Sequence, residues 1–139
     1  MKVITNHIDL STKGNGDVID ITDKVAESLR VTLLQEGNVT IFIPGSTAGI
    51  STLEHESGLV RDIRNVFDRL IPEGDTYHHN EKWHDGNGHA HIRSALVKTS
   101  LVVPFKQANL LLGTWQQIVF IEFDNRPRQR KVIVQFIGV

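Results

Sequence analysis

The sequence predicts a β-rich α+β fold: a single domain over residues 1–139, with mixed or antiparallel sheets in a sandwich-like arrangement and two main helices. Three observations lead there. Apolar and polar residues alternate at a period of two near the N-terminus. Four β-branched or aromatic runs crowd the C-terminal half, and two long segments carry apolar residues at helical spacing. No internal repeat, low-complexity tract or linker divides the chain.

Lys2 to Leu10 sets Ile4, Ile8 and Leu10 in one register and Thr5, His7 and Asp9 in the other, the pattern of a half-buried strand. Lys13-Gly14-Asn15-Gly16 reads as a turn and Asp17 to Ile21 as a short strand. Thr22 then serves as N-cap of a helix with Val25, Ala26, Leu29 and Leu33 on one side and Gly37 as its stop. Val39 to Ile43 is nearly all apolar before Pro44-Gly45, so a strand buried on both faces is expected. Leu59, Ile63, Val66, Phe67 and Leu70 fall at helical intervals until Pro72 ends the pattern. Pro72 to Gly88 has no apolar period and reads as a long loop, a length that in a small domain is often functional. A short helix over Ile92 to Val97 follows, then strands at Ser100 to Phe105, Asn109 to Leu112, Trp115 to Phe123 and Lys131 to Ile137.

A chain of 139 residues holds one core and is too short for a TIM barrel of about 250. Its 40% hydrophobic and 22% charged residues are those of an ordinary globular protein, and no apolar run reaches the roughly 20 residues of a membrane helix. Fifteen basic against sixteen acidic residues leave no overall charge to attract nucleic acid or anionic lipid. The absence of cysteine excludes disulfides, thiolate metal sites and cysteine nucleophiles. The N-terminus enters its amphipathic pattern without an apolar leader, so a cytoplasmic protein is expected.

Six of the seven histidines lie between His55 and His91. His78, His79, His84, His89 and His91 belong to the glycine-rich loop or its exit, where neutral imidazoles can converge on a divalent metal. The geometry of His89 and His91 depends on local structure. In an extended segment they point the same way; on a helix they point roughly 200° apart and cannot share an ion. A solvated histidine-rich loop, or histidines used as caps and core hydrogen-bonders, is the plainer reading.

Two segments have the chemistry of anion binding. Pro44-Gly45-Ser46-Thr47-Ala48-Gly49 can present a row of backbone N–H groups after a strand, although it lacks the lysine of a P-loop and also suits a tight turn. Arg126, Arg128 and Arg130 alternate, so an extended backbone would aim them together at a phosphate or diphosphate; a solvated hairpin tip or a subunit contact accounts for them equally. Glu54 and Glu56 can act as ligand or general base, or favour a helix start through its dipole. Trp115 and Gln116 suit the holding of a flat ring, against a simpler core role for the indole.

Taken together, Gly45-Ser46-Thr47-Ala48 with Glu54 downstream, Tyr77-His78-His79, Asn87 to Leu96, Ser100 to Pro104 and Leu112 to Ile118 resemble the YjbQ-like family over nearly the whole chain. The resemblance implies a β-rich α+β fold assembled as a homotrimer, a histidine cleft near a subunit boundary and a bound divalent metal, zinc or magnesium. It also implies a secondary thiamin-phosphate synthase activity, in which a thiazole phosphate displaces pyrophosphate from an aminopyrimidine methyl diphosphate. Carried over by position, Glu54, His79 and His91 are the implied catalytic residues; the expected metal ligands are His79, His89 and His91, with His89 or His84 standing in for the family histidine missing at residue 45. Ser46, Thr47, Trp115, Gln116, Arg126, Arg128 and Arg130 are the expected substrate contacts. The chain departs from the commoner pattern at Gly45, where many members carry histidine. Two other readings use the same cluster: a non-catalytic trimer that holds a metal or phosphorylated metabolite, and a metal-dependent phosphate-ester hydrolase.

Overall fold

The two ends of the chain, both patterned at a period of two, pair with each other. In the computed structural model, which describes residues 1–139, β1 (Lys2–Ser11) lies antiparallel to β8 (Gln129–Gly138), from Lys2 opposite Gly138 to Ser11 opposite Gln129. β8 also pairs with β3 (Glu36–Phe42), and β5 (Ser100–Lys106) and β6 (Asn109–Leu110) complete a sheet ordered β1-β8-β3-β5-β6. A second sheet is ordered β2-β7-β4, from Asp17–Asp20, Gln117–Glu122 and Ala48–Leu53. Every strand pair is antiparallel, which resolves the mixed-or-antiparallel expectation.

The main core lies where both sheets contribute. Val39, Ile41, Val103, Phe105, Val132, Val134 and Phe136 of the larger sheet join Ile50, Ile118 and Phe120 of the smaller in one cluster. β7 alternates between two cores: Ile118 and Phe120 enter this cluster, while Val119 and Ile121 enter a second one with Val18, Ala90 and Phe123. The strand buried on both faces is therefore β7. β3, expected to have that character, buries Val39 and Ile41 but exposes Phe42, because no layer covers the outer face of the larger sheet there.

Four helices are present, the two main ones expected and two shorter ones. α1 (Thr22–Thr32) seals the main core with Val25 and Leu29. It is capped by Ile21, not Thr22, whose hydroxyl donates to Asp20 Oδ1 and accepts from the Ile118 N–H. It also stops before Gly37: Leu33 takes the left-handed C-cap conformation and points into solvent. α2 (Ser57–Leu70) lies on the second core through Val60 and Phe67, and the Glu56 carboxylate caps it by accepting the Gly58 and Leu59 N–H groups. Those two hydrogen bonds hold the Glu56 carboxyl below its ordinary pKa, assigning it to helix capping. Inside the expected loop sits α3 (His78–Trp83), and α4 begins at Gly88 rather than Ile92, running Gly88–Val97. Both differences arise from tertiary contact: the α3 segment shows no apolar period, and a glycine opens α4. β6 and β7 are shorter than expected, since Leu111 to Gln116 turns back on itself.

Candidate functional site

Helix α3 reaches α4 because residue 88 has no side chain: a Cβ there would lie 2.5 Å from Tyr77 Cβ. The Gly88 N–H donates to Asn80 Oδ1 at 2.9 Å and locks the contact. His79 on α3 thus meets His91 on α4, with ring centroids 4.4 Å apart. Between the helices His84 adopts a left-handed conformation that ends α3 and turns the chain, so Asp85 comes back against His79, Oδ1 to Nδ1 at 3.3 Å. One ligand atom from each of His79, Asp85 and His91 lies within 4.8 Å of the others.

These groups are short of partners. His79 Nδ1 is buried, and its approach to Asp85 is not aligned as a hydrogen bond, so the nitrogen has no hydrogen-bond partner. Burial, and then the neighbouring His79, hold the His91 imidazole below its ordinary pKa, so it is neutral at pH 7 and has a lone pair to offer. Two half-buried imidazoles and an exposed carboxylate converge to form a donor set for a transition-type divalent cation with further coordination positions open.

Asp85 and His91 also line one side of a cavity of about 480 Å³. The opposite side is the loop Pro44 to Thr47 and the turn after β7, which brings Asp124, Arg126, Arg128 and Arg130. Here the polar groups are heavily bonded. Arg130 forks onto Glu122, Nε to Oε2 at 2.8 Å and Nη2 to Oε1 at 2.5 Å, with both side chains buried. Thr12 donates to Glu122 Oε2, and Arg130 Nη2 also donates to Thr47 Oγ1 at 2.8 Å. Asp124, itself buried, accepts from Thr47 Oγ1 at 3.1 Å, Arg128 Nη1 at 3.0 Å and the Arg126 N–H at 3.2 Å. Asn87, just before α4, spans both sides: its Nδ2 approaches Asp124 Oδ1 at 3.4 Å and its Oδ1 accepts the Asn125 N–H.

Of the residues singled out in the sequence, the structure brings His79, His91, Ser46, Thr47, Arg126, Arg128 and Arg130 to this region. His89 does not join the metal donors. Because α4 is already helical at that point, His89 turns to the opposite face, buried near Arg93, where desolvation and then the Arg93 charge lower its pKa. Glu54 is exposed beyond the far end of β4, about 23 Å along the strand from Thr47 at 3.3 Å per residue. Trp115 and Gln116 share that far end. Gln116 bonds Thr52 and the Gly113 N–H, and Trp115 is 73% exposed, neither in the core nor in the cavity. His78 and His84 face solvent. The sequence reading missed Asp85, Asn87, Glu122 and Asp124. Asp85 lay inside the histidine-rich run, and weighing carboxylates beside imidazoles would have found it; Glu122 resembled a strand-end residue and gave no local signal.

The comparisons with known proteins agree with this architecture. The family model described as UPF0047 protein YjbQ-like matches residues 6–139. A UPF0047 protein of Archaeoglobus fulgidus is 39% identical over 126 residues, covering 91% of this chain and 95% of its own. Among solved structures, a YbjQ-like protein of unknown function from Sulfolobus solfataricus P2 superposes with a TM-score of 0.94 at 32% identity over 99% of both chains. A YjbQ/UPF0047 family protein from Clostridium acetobutylicum gives 0.87 at 36% identity, over 95% of this chain and 99% of that one. With its sequence matched from residue 6 to its last residue and its fold shared with these relatives, the chain belongs to the YjbQ-like UPF0047 family.

Proposed function

We propose that the cavity is a metal-assisted site for small phosphorylated molecules. The observation that carries this reading is the convergence of His79, Asp85 and His91 within 4.8 Å, with a buried, unpartnered His79 nitrogen, beside the arginine-lined cavity. Two imidazoles suit zinc better than magnesium, which prefers oxygen ligands. When bound there, the cation would supply Lewis-acid stabilisation of charge on a departing phosphate or diphosphate. Arg128, one nitrogen of which is tied to Asp124, has the rest of its guanidinium for phosphate oxygens. Arg126 is mostly exposed and can close over the same ligand. The Ser46 and Thr47 N–H groups, used by no hydrogen bond within the chain, are donors for the same oxygens.

The transfer implied by the family resemblance fits this chemistry. A thiazole nitrogen would attack the methylene carbon of an aminopyrimidine methyl diphosphate, the carbon–oxygen bond would break, and pyrophosphate would leave toward the arginines with its charge stabilised. Glu54, Trp115 and Gln116 enter this scheme only through a neighbouring copy. In a homotrimer with head-to-tail contacts, the Glu54 and Trp115 end of one subunit can meet the cavity of the next, since such an interface joins two different patches of one chain. Light scattering after size exclusion is expected to give the trimer mass, and a monomer mass would remove the shared site.

The test of the metal reading is elemental analysis of protein purified without a histidine tag, beside His79→Ala and His91→Ala. Near-stoichiometric zinc in the wild type and its loss in both variants is the expected result; wild-type protein that neither contains nor takes up metal would sink it. Turnover of diphosphate substrates and of phosphate esters then separates transferase from hydrolase. One observation favours a second reading, a non-catalytic holder of a phosphorylated metabolite: the cavity of a single chain has no Phe, Tyr or Trp in its lining on which a ring could stack. That reading expects ligand-dependent stabilisation without product.

A further inference from the structure

Glycine 45 stands in the cavity wall beside a guanidinium with one end unused. Arg130 is 8% exposed, and its Nε and Nη2 are committed to Glu122 and Thr47. Nη1 takes part in no hydrogen bond with the chain, and Arg130 and Gly45 both line the cavity. A Cβ on residue 45 would meet a single neighbour, Arg130 Nη1 at 3.2 Å. The missing side chain is therefore what leaves this donor of a mostly buried guanidinium open to the cavity. The backbone N–H groups of Gly45, Ser46 and Thr47, which follow directly, are equally unused within the chain. Since Glu122 already balances the Arg130 charge, Nη1 acts as a directed hydrogen-bond donor held rigidly by a bidentate pair. Rigid, pre-oriented N–H donors around a small opening are suited to a tetrahedral oxyanion.

We propose that Gly45 is the specificity-determining position of the cavity, opening a phosphate subsite made by Arg130 Nη1 and the Gly45–Thr47 N–H groups. The subsite rests on the reading that this cavity takes phosphorylated molecules, and it assigns the terminal phosphate to the Gly45 side. Arg128, on the same side of the cavity, serves the remaining oxygens. A side chain at position 45 would cover the donor and fill the place of one phosphate oxygen.

Gly45 is suited to substitution, because its backbone is outside the left-handed region and its only close neighbour is the far end of a side chain. The experiment is calorimetric titration of zinc-free protein with inorganic pyrophosphate, for wild type, Gly45→Ala and Gly45→Val, with thermal unfolding as a check of folding. Expected are a measurable wild-type affinity, a loss of about fivefold to tenfold in Gly45→Ala, equivalent to one weakened charge-assisted hydrogen bond, and a larger loss in Gly45→Val. Wild-type affinity retained in both folded variants would overturn the subsite while leaving the phosphate reading of the cavity standing. A wild type that binds no pyrophosphate, without zinc or with it, would overturn both. Binding that requires Arg128 but tolerates Gly45→Val would place the phosphate on Arg128 away from the Gly45 loop and likewise overturn the subsite.

Discussion

The two walls of the cavity are built on opposite principles. On the side of the β7–β8 turn, the buried carboxylates Glu122 and Asp124 are saturated by Arg128, Arg130, Thr12 and Thr47, and only Arg130 Nη1 and part of the Arg128 guanidinium are left free. On the side of α3 and α4, His79, Asp85 and His91 sit close together with few partners, and one buried nitrogen has none. A saturated network is a scaffold; an unsaturated one is available to a ligand. The difference teaches that the buried carboxylates hold the cavity in shape, whereas the half-exposed cluster of His79, Asp85 and His91 has the capacity to hold a metal ion.

The strongest test breaks the saturated wall. Removing Glu122 as Glu122→Ala leaves Arg130 buried without its counter-ion, and a loss of about 3–5 kcal/mol of folding stability is expected in urea unfolding. Unchanged stability would mean that this wall is no scaffold. Next, substitutions on the unsaturated wall should act on binding instead. His79→Ala, His91→Ala and Asp85→Asn are each expected to weaken zinc binding at least about a hundredfold while the metal-free protein keeps its stability within about 1 kcal/mol. A large loss of metal-free stability in these variants would erase the distinction.

A smaller effect comes from His89, which lies on the buried face of the helix that carries His91. Its pKa is lowered in the folded protein by burial and then by Arg93, while the unfolded chain titrates near 6.5. The unfolded state therefore binds more protons in the window below 6.5. Folding stability from this group is complete above that value and declines as pH falls toward and through the lowered folded value. Unfolding curves of His91→Ala with and without His89→Phe, between pH 7 and about 5, should show a flatter pH dependence when His89 is absent. An identical slope would deny His89 a buried neutral state. Least of all should change with Glu54→Gln: at an exposed position far from both walls, zinc affinity in the isolated chain and stability are expected to stay within about 0.5 kcal/mol. A clear loss of zinc affinity would place Glu54 against the donors through a neighbouring copy.

How much of this was legible in the sequence follows the range of the interactions. Period-two alternation located β1, apolar and β-branched runs located β3, β5 and β8, and the interval pattern from Leu59 to Leu70 located α2, because all depend on how a local element meets the core. The sequence alone also settled the absence of thiol chemistry, the clustering of histidines and the family motifs. It misjudged α3 and the start of α4, whose residues are helical through the Gly88–Tyr77 and Gly88–Asn80 contacts rather than through any apolar period. That one misjudgement decided the fate of His89, which a strand would have kept beside His91 and a helix sends to the other face. Only the tertiary structure could join Asp85 to the histidines, tie Arg130 to Glu122 and leave its last nitrogen open behind Gly45. These pairings rest on side chains that meet through packing of separate elements, and a single sequence records each partner but not the distance between them.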